Sequence, residues 1–413
     1  MIKHMLAKAI SVGVVATVFS ATTVAETSVE DLAGRLESMQ KEMDELKQQL
    51  KNTVSKEEVS EVKQNIAAAS EWRQPDTLIH MTGYASAGYT DSESADGSFN
   101  VGTFAPIFHF QYRDIAMLES ELEFTIGPDG ETDVALEYLT VDWFLNDYMV
   151  LVGGKFISPV GQFRQNLHPA WINKLPSAPP GFDMDGAAPV SDVGFQLRGG
   201  FPIGSVRTNY AIFASNGPEL MAEVEDGEFG LDGVEAEGFG SDRDGEKTYG
   251  GRFGVIPFAG LEIGVSAATG KATVTSIEDG DSSLLSGEGA RDYDVVDADF
   301  NWQINAFNLR GEYVKTEVGA DNGSGAAASE GAVWKTWYTQ GSYRLSQSKW
   351  ELVARYTDFD SPHDSKDQQQ WALGANYLVT NNFIGKFAYE FNDGATGSVA
   401  DEDRLMFQLA YGF

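Results

Sequence analysis

The chain has 413 residues, with 29 Lys+Arg against 62 Asp+Glu and a formal net charge of −33. It contains 25 Phe, 15 Tyr, 44 Gly and no cysteine, which excludes disulfides, thiolate metal centres and a thiol nucleophile. The acidic excess argues against a nucleic-acid partner, which needs clustered Lys/Arg. Beyond the extreme N-terminus no apolar run is long enough for a membrane helix, and the length suits either two to three ordinary domains or one large all-β domain.

Residues 1–25 read as a secretory signal peptide: Lys3 and Lys8 precede an apolar stretch from Ala9 to Phe19, and Thr23-Val24-Ala25 supplies small residues for cleavage. Residues 26–70 change to Glu, Lys and Gln. Apolar residues at Val29, Leu32, Leu36, Met39, Met43, Leu46 and Leu50 alternate in spacings of 3 and 4. This is the seam of an α-helical coiled coil, resumed by Val59, Val62 and Ile66 after a phase slip. So narrow a seam calls for identical partners, and its residues leave two strands or three open. Residues 71–76 form a linker.

From Thr77 onward the period becomes two. Leu405, Phe407, Leu409, Tyr411 and Phe413 share one face, with Arg404, Gln408 and Gly412 on the other. Trp371/Leu373/Ala375/Tyr377 and Trp350/Leu352/Ala354/Tyr356 repeat the pattern. Segments of about ten residues, apolar on one face and bracketed by aromatics, are the signature of an all-β transmembrane barrel. Strands are expected near 77–90, 103–113, 116–126, 134–143, 148–156, 190–200, 205–215 and 247–257. Eight more follow near 260–270, 291–302, 306–317, 333–345, 349–358, 369–379, 383–392 and 403–413. Sixteen antiparallel strands, an even number, leave an aqueous lumen.

Short turns alternate with long loops, which puts both ends of residues 77–413, and the coiled coil, on the periplasmic side. Loop 157–189 is rich in proline and aromatics and is expected to fold inward as a constriction. Its polar candidates are Arg164, His168, Lys174, Asp183 and Asp185. Loop 216–247, with eleven Asp/Glu against two Lys/Arg, reads instead as a solvated acidic fringe.

The strand count, the inward loop and the terminal Phe413 resemble bacterial trimeric porins. Gly154-Lys155-Phe156-Ile157-Ser158-Pro159-Val160-Gly161 is similar to a segment of the phosphate-selective porin O and P family, departing at Val160, where Phe is usual. The resemblance implies a homotrimer in the outer membrane of a Gram-negative bacterium, in contact with its lipid and passing small polar or ionic solutes by diffusion. It also implies that Phe413 is read by the barrel-assembly machinery. A solute-specific anion porin of the phosphate type, or a barrel tethering the membrane through its coiled coil, are the alternatives.

Phosphate selectivity would need a ladder of basic side chains, and the inward set is mixed. Glu119, Glu121 and Glu123 alternate with outward apolar residues and are expected in the lumen, as are Arg198, Arg252, Arg310 and Arg355. If Arg164 and Lys174 face the bore, anions are favoured; if they point into the wall, the glutamate row favours cations. No catalytic residue, metal site or cofactor is indicated: the histidines have no ligand spacing, and Asp242–Gly245 and Glu278–Asp281 do not complete a calcium loop.

Overall fold

The computed structural model describes residues 76–413 except 128, 184, 185, 226, 227, 237, 239, 243, 279, 280, 322 and 324. In the N-terminal unit it describes only Gly34, Ser38, Gln40, Lys41 and Asp44, all helical and exposed. The expected signal peptide and the coiled-coil seam from Val29 to Ile66 lie outside the described residues.

Period-two alternation becomes strands in chain order. The first seven are β1 (Thr77–Ser92), β2 (Ser98–Tyr112), β3 (Ala116–Ile126), β4 (Thr132–Asn146), β5 (Met149–Ile157), β6 (Ser191–Ile203) and β7 (Val206–Ser215). Next come β8 (Glu219–Glu225), β9 (Glu228–Glu235), β10 (Thr248–Phe258), β11 (Leu261–Ala272) and β12 (Val274–Glu278). The last are β13 (Arg291–Ile304), β14 (Phe307–Val318), β15 (Ala332–Arg344), β16 (Trp350–Asp360), β17 (Gln368–Leu378), β18 (Phe383–Gly394) and β19 (Arg404–Gly412).

Among the described residues sixteen of these strands, all but β8, β9 and β12, close an antiparallel barrel. Closure runs from β1 to β19, with Tyr84 opposite Gly412 and Ser92 opposite Arg404. The wall has no sheet edge, so its strands pair their backbone groups without water, as hydrocarbon requires. The outward faces stay apolar and exposed, as at Val141, Ile212, Leu352 and Phe387. Aromatics girdle both ends: Trp337, Tyr356 and Trp371 pack in sequence near the long loops with their rings tilted, centroids 5.3 and 5.0 Å apart. Trp350 and Tyr377 pair at 5.1 Å near the short turns. Such belts sit at the two membrane–water interfaces.

The three remaining strands correct one expectation. Within 216–247 the segments Glu219–Glu225 and Glu228–Glu235 are strands and not a solvated fringe: β8 and β9 pair antiparallel and β12 joins β8 in parallel. Leu220, Ala222, Leu231 and Val234 are buried in one cluster with Phe163, Phe182, Trp334 and Tyr338. The small sheet is therefore a cap on an apolar core at the long-loop end. The acidic count concealed a second alternation, Glu219-Leu220-Met221-Ala222-Glu223-Val224, in which every second residue is apolar and available for burial.

Candidate channel constriction

The segment between β5 and β6 crosses the barrel interior and is fixed to one side of it. Its one helical turn, Phe163–Leu167, turns Phe163 and Leu167 into the core. Phe163, Phe182 and Tyr338 of β15 form a buried triad of edge-on rings, with centroids 5.1–6.0 Å apart. Edge-to-face packing of this kind adds about 0.5–1.5 kcal/mol per pair beyond burial itself. Two glycines permit the close approach. Gly161 (φ +77°) lies against the Glu312 carboxylate, and Gly181 (φ +79°) lies against Phe359 and Thr336. Both occupy the left-handed region where other residues are strained.

Polar side chains of the wall satisfy the backbone of the loop. The Gly161 N–H donates to Ser266 Oγ at 3.0 Å and the Phe163 N–H to Glu312 Oε2 at 2.8 Å. Thr336 Oγ1 donates to the Pro180 carbonyl at 2.8 Å, and Asn376 Nδ2 to that of Lys174 at 2.8 Å. Arg355 donates to the carbonyls of Ser177 and Ala178, both at 3.0 Å. Lys386 Nζ donates to the carbonyls of Ala170 and Leu175, at 2.5 and 3.2 Å. These contacts come from β11 and from β14 to β18, so the loop seals that half of the wall.

Arg310 and Arg355 accordingly point into the barrel but lie beneath the loop, 3% and 0% exposed. Arg310 reaches Asn173 Oδ1 at 3.4 Å, while Arg355 pairs with Gln370 at 2.8 Å and Glu390 at 3.6 Å. Glu390 is also held by Arg404 at 2.8 Å. Lys174 lines a separate cavity of about 360 Å³, where its ammonium clasps Glu351 of β16 at 2.5 Å. Arg164 pairs with Asp183 of the same loop at 3.4 Å. Asp185 lies outside the described residues.

His168 closes the helical turn, its Nδ1 against the Arg164 carbonyl and its ring edge-on to Tyr84 at 6.5 Å. Burial, with the Arg164 guanidinium beside it, pushes the imidazole pKa down to about 4. It is therefore a neutral hydrogen-bonding group near neutral pH.

The opposite wall, β2 to β7 with β10, remains uncovered and carries the other charges. Glu119 meets His109 Nε2 at 3.1 Å and Arg198 at 3.3 Å, and Arg198 meets Asp142 at 2.5 Å. Glu121 accepts from Tyr84 at 2.8 Å, and Glu123 accepts from Thr103 at 2.9 Å. Arg252 forks onto Asp299 at 2.9 and 2.7 Å and touches Glu262 at 3.3 Å.

Two cavities lie between this wall and the helical turn. One of about 170 Å³ is lined by Glu119, Tyr138, Gln165, Gln196 and Arg198. The other, about 550 Å³, is lined by Gln165, Asn166, Arg198, Asn209, Arg252 and Glu262. They share Gln165 and Arg198, so one polar strip connects them.

Alternation alone misses Glu137. The β3–β4 register skips it, passing from Glu121 opposite Tyr138 to Leu122 opposite Leu136. The extra residue of this bulge is re-aimed, and its carboxyl hydrogen-bonds that of Glu123. A strict period of two puts residue 137 on the outer face; the signal was a charged residue there, which lipid does not tolerate.

At the barrel seam the Phe413 N–H donates to the Gly83 carbonyl at 2.9 Å, and its own carbonyl accepts from Gly83 N at 3.1 Å and Thr82 Oγ1 at 2.5 Å. The terminal residue thus completes the β1–β19 pairing.

Residues 233–413 match the family described as phosphate-selective porin O and P. No curated protein matches the chain in sequence. Among solved structures the chain is similar to the trimer form of OmpT from Vibrio cholerae, at 13% identity and a TM-score of 0.54 over 82% of this chain and 99% of that one. It is similar to the anion-selective porin from Comamonas acidovorans, at 14% identity and TM-score 0.54 over 82% and 100%. The outer membrane channel DcaP of Acinetobacter baumannii matches at 10% identity and TM-score 0.51 over 82% and 98%. At these identities the likeness is one of fold.

Proposed function

We infer that this porin-type barrel, whose C-terminal part carries the sequence pattern of the phosphate-selective porin O and P family, is an outer-membrane channel for small hydrophilic solutes and ions in a Gram-negative bacterium. The observation that carries the reading is the asymmetry of the interior. A loop fixed to one half of a sixteen-strand wall leaves a polar strip against the other half. The constriction lies there, between Gln165 and Asn166 of the loop and Arg198 and Glu119 of the wall, with Glu123 and Glu137 farther along β3 and β4 towards the long loops.

The channel prefers cations. Lys174 is bound to Glu351 and Arg164 to Asp183, so neither offers an uncompensated positive charge to the bore. The uncovered wall carries Glu123 and Glu137, half-buried and with no arginine bonded to them among the described residues, while Glu121 is buried against Tyr84. Fixed charges lining a narrow pore select the opposite ion. The anion selectivity named for the Comamonas acidovorans porin is a property of that protein; here Arg198 is paired with Glu119 and Asp142, and Arg252, Arg310 and Arg355 are committed to carboxylates, amides or loop carbonyls. Reversal potentials of purified protein in planar bilayers under a KCl gradient test this: an open pore with a cation-positive shift is expected, and an anion-selective pore refutes it.

The working unit is a homotrimer with both ends of residues 77–413 in the periplasm, where the heptads of residues 26–70 join protomers. Truncation to residue 72 should loosen the oligomer and leave single-pore conductance unchanged, because barrel closure needs nothing from that segment. Native mass spectrometry of the full-length protein showing only monomers refutes the trimer.

A further inference from the structure

The cap over the long-loop end brings together Glu223 of β8, Asp232 of β9 and His363 of the loop between β16 and β17. One ligand atom from each lies within 4.8 Å of the others. Two local features create this juxtaposition. In the β8–β9 ladder Met221 stands opposite Gly233 and Ala222 opposite Leu231, so Asp232 is the extra residue of a bulge. A bulge re-aims its side chain, and here Asp232 is brought onto the side of Glu223, whose carboxyl it hydrogen-bonds. The second feature is Gly230: a Cβ there would stand 3.0 Å from His363 Cε1 and 3.3 Å from Nε2. The strand is bare at the one point where the imidazole lies against it, and His363 Nε2 meets the Leu231 carbonyl at 2.8 Å.

We propose that Glu223, Asp232 and His363 form a divalent transition-metal site, best suited to zinc, that ties the cap to the loop between β16 and β17. Two carboxylates and one imidazole match zinc or a neighbouring first-row ion rather than calcium, which takes oxygen ligands. Bonds of about 2.0–2.2 Å place tetrahedral donors about 3.3 Å apart, so the three side chains need to close by at most about 1.5 Å, within reach of rotation. Water fills the remaining position.

In the metal-free cap the charge is balanced otherwise. The Lys366 ammonium sits on Asp232, and hydrogen bonding to Asp232 holds the Glu223 carboxyl above the usual carboxylate range. Metal binding expels the shared proton and displaces Lys366, whose side chain is 42% exposed and free to swing into water. The site lies outside the barrel wall and its occupancy is independent of ion selection in the bore.

The test is isothermal titration of ZnCl2 into untagged full-length protein in detergent, with cobalt(II) absorption as a second readout. One zinc per protomer is expected. His363→Gln and Glu223→Gln should each weaken binding by at least about tenfold, and Lys366→Gln should tighten it by removing the competing cation. Gly230→Ala, which keeps all three ligands but crowds the imidazole, should weaken binding with the barrel still folded, as judged by heat-modifiable gel migration. Absence of saturable zinc binding up to millimolar concentration, or equal affinity in the wild type and His363→Gln, overturns the proposal.

Discussion

Arg355 and Arg198 point into the same barrel and meet opposite fates. The Arg355 side chain is fully enclosed between wall and loop, while that of Arg198 is 38% exposed on the uncovered wall. On the sealed half, from β11 and β13 to β18, each buried charge must find partners, because unpaired charge in a low dielectric costs several kcal/mol. Arg355, Lys386 and Glu312 find them on the backbone of the loop. Those charges hold the constriction in place and no longer act on ions in transit. On the open half Arg198 and Glu119 keep water beside them, and their field falls on the passing solute. Residues of the same type in the same alternation therefore divide into scaffold and lining according to which half the loop covers.

The seam between the halves gives the largest expected effect. Deleting Phe413 removes the pairing with Gly83 and Thr82 that completes closure, and most of the chain should then fail to reach the membrane. Fractionation of cells expressing the variant checks this; normal membrane yield counts against it.

Breaking the sealed half comes next. Arg355→Ala leaves Glu390 with one cationic partner and frees the Ser177 and Ala178 carbonyls, a loss of about 3–5 kcal/mol typical of a broken buried pair. The loop should loosen, so single-channel conductance rises and becomes noisy while the unfolding midpoint drops. An equally quiet channel of wild-type conductance contradicts the sealed arrangement.

The helical turn of the loop carries a pH signature. His168 has a pKa near 4 in the fold against an ordinary value of 6.5, so below about 6.5 the unfolded chain binds a proton that the folded one does not. Stability is complete above that pH and falls as pH drops towards 4, by up to about 3 kcal/mol. His168→Asn should flatten the decline between pH 6.5 and 4, read from unfolding midpoints across that range.

On the open half the effect should be on ions rather than on folding. Glu123→Gln with Glu137→Gln removes from the wall a hydrogen-bonded carboxyl pair, which shares one proton and carries one negative charge. A unit charge at about 4 Å in water is worth about 1 kcal/mol, so the cation-to-anion permeability ratio should fall about two- to fivefold. The unfolding midpoint should hardly move. A larger loss of stability than of selectivity would place these residues with the sealed scaffold instead.

Much of this was legible in the chain. Tyr377, Leu409 and Val141 fall on outward faces because side chains alternate along a strand, and a bilayer accepts only apolar residues there. The prolines and aromatics of 157–189 mark an ordered loop for a similar local reason. Sequence periodicity is a statement about neighbours one or two positions apart, and on that scale it is reliable. It does not reach Glu137 or Asp232, because each stands in a bulge whose existence depends on the register with another strand. Nor does it reveal that Lys174 meets Glu351, 177 positions away, or that Leu220 and Leu231 cover the same core as Phe163. The amino-acid order by itself determined which face of each strand meets lipid. Which of the inward charges lie under the loop, and which remain wet, was decided only when the closed wall set the path on which 158–190 could satisfy its backbone.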